Sequence, residues 1–130
     1  MEVTISIRSK YDAELGLLFT TATGLVSYEE VQKHLDEEAR SGMLVYPEIF
    51  DATNAWTNLT DEEVRQIVRR LVELNRTSSL GPTAVVTKND VLYGMASMLG
   101  ILSELHGGPR FGVFRNFDAG LKWLIRCKTG

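Results

Sequence analysis

Residues 81–105 read GPTAVVTKNDVLYGMASMLGILSEL and contain a short strand followed directly by a long helix. Thr83 to Val86 are apolar or β-branched, as expected of a buried strand. Asn89 then offers a helix cap, and a strongly apolar helix runs to Leu105. A strand, a tight turn and a helix in this order form half of a parallel-sheet unit, and the neighbouring segments repeat the order. This stretch therefore predicts an α/β fold.

The chain before this unit predicts two strands and a helix. Val3, Ile5 and Ile7 alternate with polar residues, which is the pattern of a half-buried strand, and a polar turn follows over residues 9–14. A second strand over residues 15–21 closes at Gly24. Because no helix separates the two strands, they should pair antiparallel. The next helix begins with a capping box at Ser27, ends at Gly42, and has an apolar stripe made of Tyr28, Val31, Leu35 and Ala39.

The remaining segments complete the order ββαβαβαβα. Residues 43–50 are interpreted as a strand in which Pro47 favours an edge or a bulge, and residues 51–58 as a loop. Thr60 begins a second capping box, and the helix after it buries a stripe made of Val64, Ile67, Val68, Leu71 and Leu74. Residues 110–115 predict the last strand. Asn116 caps the last helix, whose inward residues are expected to be Phe117, Leu121, Leu124 and Ile125.

Length and composition place the chain among single-domain globular proteins. Its 130 residues suffice for one core, so residues 1–130 are predicted to form one domain. The N-terminal residues lack the features of a signal peptide, and no apolar stretch approaches the roughly 20 residues that span a bilayer. The one cysteine, Cys127, fits a reducing compartment. The basic residues are scattered without interleaved aromatic residues, which argues against a nucleic-acid partner. We expect a cytoplasmic protein, either free or peripheral to a membrane.

The helix of residues 90–105 is more apolar than contact with one sheet requires. At about 100° per residue, its apolar side chains cover an arc of roughly 220°, whereas a helix on a sheet needs only about 100°. A flanking helix, a second protomer or an apolar ligand could cover the surplus. Met95 and Met98 favour an adaptable contact, because thioether side chains repack easily.

Several short motifs together resemble the SpoIIAA-like group. They are GLVSYEE at 24–30, DAT at 51–53, LTDEEV at 59–64, AVVTKND at 84–90 with YGMA at 93–96, and VFR at 113–115 with AGLKWL at 119–124. This group is related to STAS domains and, in fold, to the SEC14-type lipid-binding proteins. The resemblance covers nearly the whole chain and implies a five-stranded, mostly parallel sheet with an antiparallel N-terminal strand and four flanking helices. It also implies a binding or regulatory role.

One regulatory feature of related domains is not carried over to this chain. Anti-sigma factor antagonists of the STAS type have a phosphorylatable Ser or Thr at the start of the helix after the third strand, where this chain has Thr60. Residues 61–63 here are all acidic. A phosphate on Thr60 would therefore meet like charge, and we do not predict a phosphorylation switch.

No constellation of residues predicts catalysis or a cofactor. The expected place for a site is the edge where parallel strands end, at residues 51–58, 88–90 and 115–118. Each helix start there already has its own carboxylate, which disfavours a bound phosphate. His34 lies four residues after Glu30, but such a pair without more ligands is not a metal site. We therefore expect no enzyme, cofactor or metal, although Asp51 and Asp90 would stand at this edge.

The leading hypothesis is a non-enzymatic binding or regulatory module that acts through contacts with a protein partner or as a homodimer. The alternative is a carrier or sensor of a small apolar or lipid-like ligand. Trp56 is free either to project from its loop, where it would suit a partner surface, or to fold back onto the core, and the sequence leaves both alternatives open. The candidate partner or ligand surface consists of Asp51, Thr53, Trp56, Thr60, Tyr93, Met95, Met98, Ile101 and Leu105.

Overall fold

The computed structural model describes residues 6–129 and confirms the predicted order of strands and helices. The predicted strand residues Val3 and Ile5 lie outside the described part of the chain. The elements are β1 (Ile7–Asp12), β2 (Leu17–Val26), α1 (Tyr28–Ser41), a short 3₁₀ turn (Met43–Val45), β3 (Glu48–Thr57), α2 (Asp61–Thr77), β4 (Thr83–Val86), α3 (Asp90–Leu105), β5 (Phe111–Phe114) and α4 (Phe117–Thr129).

The five strands form one sheet in the spatial order β1-β2-β3-β4-β5. β1 is antiparallel to β2, and the other three pairings are parallel, which confirms the predicted fold class. Each parallel connection advances one strand in the same direction. Because such connections are right-handed, their helices α1, α2 and α3 all cover the same face of the sheet. The helix after the last strand, α4, covers the opposite face.

The two faces bury separate sets of side chains, as the alternation of residues along a strand requires. On the α4 face, Leu124 packs with the strand residues Leu17, Ile49, Ala84 and Val86. On the other face, α3 contributes Leu92 and Ala96 to a cluster with strand residues that include Val85. The helices of this second face also pack on one another, where Leu35 of α1 meets Ile67 and Leu71 of α2.

The predicted helix ends are confirmed by hydrogen bonds. The side chain of Ser27 accepts a bond from the Glu30 N–H, and that of Asn89 accepts from the Leu92 N–H. Thr60 and Glu63 form a full capping box. Gly42 ends α1 in the left-handed conformation with a φ of 74°, which a residue with a Cβ adopts only at a cost. Local sequence therefore defined the helix boundaries.

The strand boundaries required three corrections. Strand β1 continues to Asp12, through the first half of the predicted turn, and β2 passes Gly24 to end at Val26. Residues 43–45 form a 3₁₀ turn, and β3 starts only at Glu48. It then runs to Thr57, so the predicted loop over residues 51–58 is mostly strand. The long pairing with β2, interrupted by a bulge, supplies the hydrogen bonds that keep these residues extended.

Two helix stripes also differ from the prediction. On α1 the buried residue of the last turns is Glu38, whereas Ala39 is exposed. On α4, Leu124 is fully buried, but Phe117 and Ile125 are partly exposed. Trp123 packs on Phe114.

No helix of the described residues is both long and apolar to the degree that crossing a bilayer requires.

The surplus apolar surface of α3 is only partly covered. Leu92 and Ala96 face the sheet, and Leu99 joins a cluster with α2. Val91, Ile101 and Leu105 remain exposed. The flanking helix α2 thus covers one part of the predicted arc and leaves another part in contact with solvent.

Candidate functional site

A cavity of about 140 Å³ lies between the sheet and the three helices that share one of its faces. Its wall is mostly apolar and includes Val31 and Leu35 of α1, Val64, Ile67 and Leu71 of α2, Leu92, Met95, Ala96 and Leu99 of α3, and Phe50, Val85 and Phe111 of the sheet. An apolar cavity of about 150 Å³ in a protein can hold a molecule of the size of benzene. The cavity therefore has room for one small apolar group.

Three titratable side chains stand together in the wall of this cavity. They are His34 and Glu38 of α1 and Glu48, the first residue of β3. The Nε2 atom of His34 lies 3.1 Å from Oε1 of Glu38 and 2.9 Å from Oε2 of Glu48. We call these three residues the acid–histidine cluster. Within the described residues, this is the group of His, Cys, Asp and Glu side chains whose ligand atoms lie close enough together to hold a metal ion.

Local structure explains how each member reaches the cluster. His34 and Glu38 are four residues apart and therefore lie on the same side of α1, next to the buried Leu35. Glu48 follows Pro47, and its side chain points to the face of the sheet that α1, α2 and α3 cover. Thr20 of the neighbouring strand points to the same face. The Thr20 hydroxyl donates a hydrogen bond of 2.5 Å to Oε2 of Glu48. Ser9 of β1 extends this chain of contacts, with 2.8 Å between the two hydroxyl oxygens.

The electrostatics of the cluster are unusual for a protein interior. Glu38 is 5% exposed and Glu48 is 7% exposed, so both carboxyl groups are largely removed from water. Burial, together with the nearby charge and hydrogen bond of Glu48, raises the pKa of Glu38 far above its ordinary value of 4.5. With its pKa raised this far, Glu38 is protonated at neutral pH unless a cation lies beside it.

Four ion pairs made by arginine side chains lie outside the cluster. The pairs are Arg69 with Glu62, Arg70 with Asp36, Arg76 with Glu73, and Arg115 with Asp90. Within the described residues, the close contacts between a basic side chain and the two carboxyl groups of the cluster are both made by His34. The arrangement can donate or accept hydrogen bonds, attract a cationic group, or bind a metal ion through one nitrogen and two carboxylate oxygens.

The structure places the nine residues predicted as a partner or ligand surface in several different environments. Met95 lines the cavity, and Met98 is half-buried on α3. Trp56, Ile101 and Leu105 are 54%, 61% and 72% exposed, respectively. Trp56 thus adopts the exposed one of its two predicted alternatives, but it belongs to β3 and not to a loop.

The other four candidates have local structural partners. The Asp51 carboxylate accepts bonds from the N–H and the hydroxyl of Thr53, near the bulge of β3. Thr60 caps α2. The Tyr93 ring lies under the Arg115 guanidinium group at 4.0 Å, and Arg115 also pairs with Asp90. These residues explain how the strand-end edge is held together, and they do not meet at one site.

Sequence reasoning missed Glu38 and Glu48. It compared His34 only with Glu30, one turn before it, whereas the structure pairs His34 with Glu38, one turn after it. A signal was present, because Tyr28, Val31, Leu35 and Glu38 follow the 3-4-3 spacing of a buried stripe. Glu48 had no such signal. Its position depends on where β3 begins and on its contact with Thr20, which lies 28 residues earlier.

Comparisons with known proteins agree on the fold and go no further. No family model matches the sequence, and no curated protein matches it. Among solved structures, the chain is similar to an uncharacterized protein of the DUF3478 family with a SpoIIAA-like fold from Shewanella loihica PV-4. The two share 18% identity over 91% of each chain, with a TM-score of 0.53. The predicted SpoIIAA-like fold is therefore confirmed, and the likeness at this identity concerns the fold alone.

Proposed function

We propose that this domain is a non-enzymatic binding module that holds a small, largely apolar ligand between its sheet and the helices α1, α2 and α3. The observation that carries this proposal is the apolar cavity with the acid–histidine cluster in its wall. Ligand sites in proteins commonly combine an apolar lining with a few converging polar groups that orient the ligand. The sequence had left such a ligand as an alternative to a protein contact.

The size and polarity of the cavity restrict the class of ligand. A volume of about 140 Å³ suits a ring or a short branched chain rather than a long acyl chain. Two carboxyl groups in the wall favour a hydrogen-bond donor or a cation at the polar end of the ligand and disfavour an anion. A small aromatic or aliphatic amine combines these properties.

The residues around the cavity support binding rather than covalent chemistry. The one cysteine of the chain, Cys127, lies on α4, on the opposite face of the sheet. The hydroxyl group of Thr20, beside the cluster, is engaged with Glu48. Glu48 is within reach as a base for this hydroxyl, but Thr20 is 1% exposed and does not line the cavity, so the hydroxyl does not meet a molecule bound there. We also propose a cytoplasmic location, on the ground that a single cysteine fits a reducing compartment.

Native mass spectrometry of protein purified without detergent is the first test, because it would show a retained small molecule directly. Isothermal titration with benzylamine, toluene and benzoate is the second. In protein freed of metal, we expect benzylamine to bind best and benzoate worst. The matched variant Ala96→Leu places a larger side chain in the cavity wall and should abolish binding of all three. Absence of binding to the unaltered protein, or equal binding to Ala96→Leu, would overturn the proposal.

A second candidate function, self-association, is favoured by the outward side of α3. Val91, Gly94, Met98, Ile101 and Leu105 follow one another at intervals of three and four residues, which is the spacing of a helix–helix seam. A Cβ placed on Gly94 would meet no other heavy atom within 4 Å, so another helix can approach closely there. We propose a second copy of this chain as the partner, because the seam contains no charged residue and therefore creates no like-charge repulsion between copies.

Sedimentation equilibrium tests this second candidate. A dimer that dissociates when Ile101 is changed to Lys would support it, with Lys88→Glu as a control at an exposed position before the helix. A monomer at high concentration would contradict it. Neither result affects the cavity, because the seam residues Ile101 and Leu105 do not line it.

A further inference from the structure

We propose that His34, Glu38 and Glu48 bind a divalent transition-metal ion, with Zn²⁺ as the representative case. The first argument is geometric. One ligand atom from each residue lies within 4.8 Å of the others, and the two distances from His34 Nε2 are 3.1 Å and 2.9 Å. Tetrahedral Zn²⁺ bonds of about 2.0–2.2 Å place neighbouring ligand atoms roughly 3.3–3.6 Å apart, a few tenths of an ångström more than the distances from His34. The side chains therefore already stand near the spacing that an ion requires.

The second argument concerns charge. Two buried carboxyl groups and an imidazole form this site, and within the described residues His34 is the basic side chain in contact with them. Isolated buried carboxylates are very unfavourable unless a proton or a cation compensates them. A divalent cation bound by both glutamates would neutralise their charges at the place where the fold holds them together, with the imidazole of His34 as the nitrogen ligand.

The third argument is the hydrogen bond that holds Glu48 from outside the cluster. The Thr20 hydroxyl donates to Oε2 of Glu48 at 2.5 Å, and Ser9 lies next to Thr20. Metal-binding carboxylates are commonly oriented by such outer hydrogen bonds, and loss of these bonds typically lowers metal affinity about 10–100-fold. Thr20 is buried and so is well placed for this positioning role.

The donor set indicates the class of ion. One imidazole nitrogen and two carboxylate oxygens suit Zn²⁺, Fe²⁺ or Mn²⁺. Ca²⁺ is disfavoured, because it takes about six to eight oxygen ligands. Three protein ligands leave a coordination position open, and all three line the cavity. The ion would therefore be able to take a donor atom from a molecule in the cavity.

This site adds an ion to the wall of the proposed ligand cavity, but its test needs no organic ligand. The full chain, without a histidine tag and freed of metal with a chelator, is titrated with Zn²⁺ alone in a calorimeter. Native mass spectrometry counts the bound ions, and Co²⁺ substitution reports the coordination geometry through its visible absorption. We expect one ion per chain.

Variants assign the ion to the cluster. Glu48→Gln and His34→Gln should each weaken Zn²⁺ binding at least 100-fold, and Thr20→Val should weaken it about 10-fold. The matched controls Glu37→Gln and His106→Gln change exposed residues of the same types and should leave affinity unchanged. Circular dichroism verifies folding, and a variant that fails to fold is replaced by Glu38→Gln, with the same expected loss.

Two results would overturn the metal site. One is the absence of Zn²⁺ binding by the unaltered protein, and the other is binding that the cluster variants leave unchanged. A negative result for the metal site can be distinguished from a negative result for the ligand cavity. Benzylamine binding that is lost in Ala96→Leu, together with no bound Zn²⁺, would sustain the ligand cavity and remove only the ion.

Discussion

The two faces of the sheet are built differently, although the same strands supply both. The α4 face is closed by apolar contacts, and its residues Leu17, Ile49, Ala84, Val86 and Leu124 are almost entirely buried. The face under α1, α2 and α3 has apolar clusters as well, but it also contains a cavity and the acid–histidine cluster. One face thus resembles an ordinary core, and the other includes features that stability alone does not require.

The difference indicates where function lies. Close packing stabilises a fold, whereas a cavity and buried ionisable groups each lower stability unless something fills or neutralises them. Their presence together on one face, at the same wall, is the reason to assign binding to that face. The opposite face then serves as the rigid support.

The largest expected effect would come from truncating the closed face. Leu124→Ala should reduce the free energy of unfolding by about 3 kcal/mol, because the fully buried side chain leaves a new void. Leu99→Ala, on the cavity face, should cost about half of that or less, because part of the Leu99 side chain already borders empty space. Urea denaturation of both variants measures the contrast. Equal losses would show that the two faces are packed alike.

The next prediction is that the free energy of unfolding of the metal-free protein depends on pH through Glu38. The pKa of Glu38 is raised in the folded state, so the folded protein keeps a proton that the unfolded chain releases above about pH 4.5. The stabilisation is therefore complete below that pH and declines as the pH rises toward the folded-state pKa. The slope is at most about 1.4 kcal/mol per pH unit.

Urea denaturation at several pH values from about 5 to 8, with a chelator present to keep the protein free of metal, would detect this decline. Glu38→Gln should flatten the profile, because glutamine has no proton to lose. Glu37→Gln, at the exposed neighbouring position, should leave the profile as it is. A profile that Glu38→Gln does not alter would show that Glu38 retains an ordinary pKa.

A smaller gain is expected from filling the cavity. Ala96→Leu adds three carbon atoms to a wall residue and should raise the free energy of unfolding by about 1 kcal/mol. The control Ala39→Leu makes the same change on the exposed side of α1 and should stay within about 0.5 kcal/mol of the unaltered protein. Thermal and urea denaturation provide the values. A loss of stability in Ala96→Leu would indicate that the wall cannot accommodate the added atoms.

The smallest effect on folding is expected outside both faces. Ile101→Lys replaces a side chain that is already exposed, so the stability of the monomer should change by less than about 0.5 kcal/mol. Denaturation at low protein concentration isolates this value from any effect on self-association. A larger loss would mean that Ile101 contributes to the core and is unavailable for a partner.

Much of the fold was predictable because its signals are local. Apolar spacing predicted the helices, and short polar residues predicted their starts at Ser27, Thr60 and Asn89, which the structure confirms with hydrogen bonds. Strand ends were less predictable. Residues 51–57 contain Asp, Asn and Thr, which favour loops, and they are extended because β2 pairs with them.

The candidate site was predictable only in part. Met95 was identified from the surplus apolar surface of α3, and it lines the cavity. The strand-end edge was the expected position for the polar groups of a site, but Glu48 lies at the start of β3, at the opposite end of that strand. The stripe predicted for α1 ended at the apolar residue Ala39, whereas the structure buries Glu38, an acid whose burial is costly without a partner. That partner, Glu48 with His34, is visible only in three dimensions.

The sequence by itself determined the order ββαβαβαβα, the starts of all four helices, including the cap at Asn116, and the SpoIIAA-like class of fold. These properties depend on residues within a few positions of one another, since caps and hydrophobic periodicity act over one or two turns. Only the tertiary structure decided the length of β3, the cavity and the meeting of His34, Glu38 and Glu48. Those features arise from contacts between distant segments, whose combined geometry no local pattern encodes.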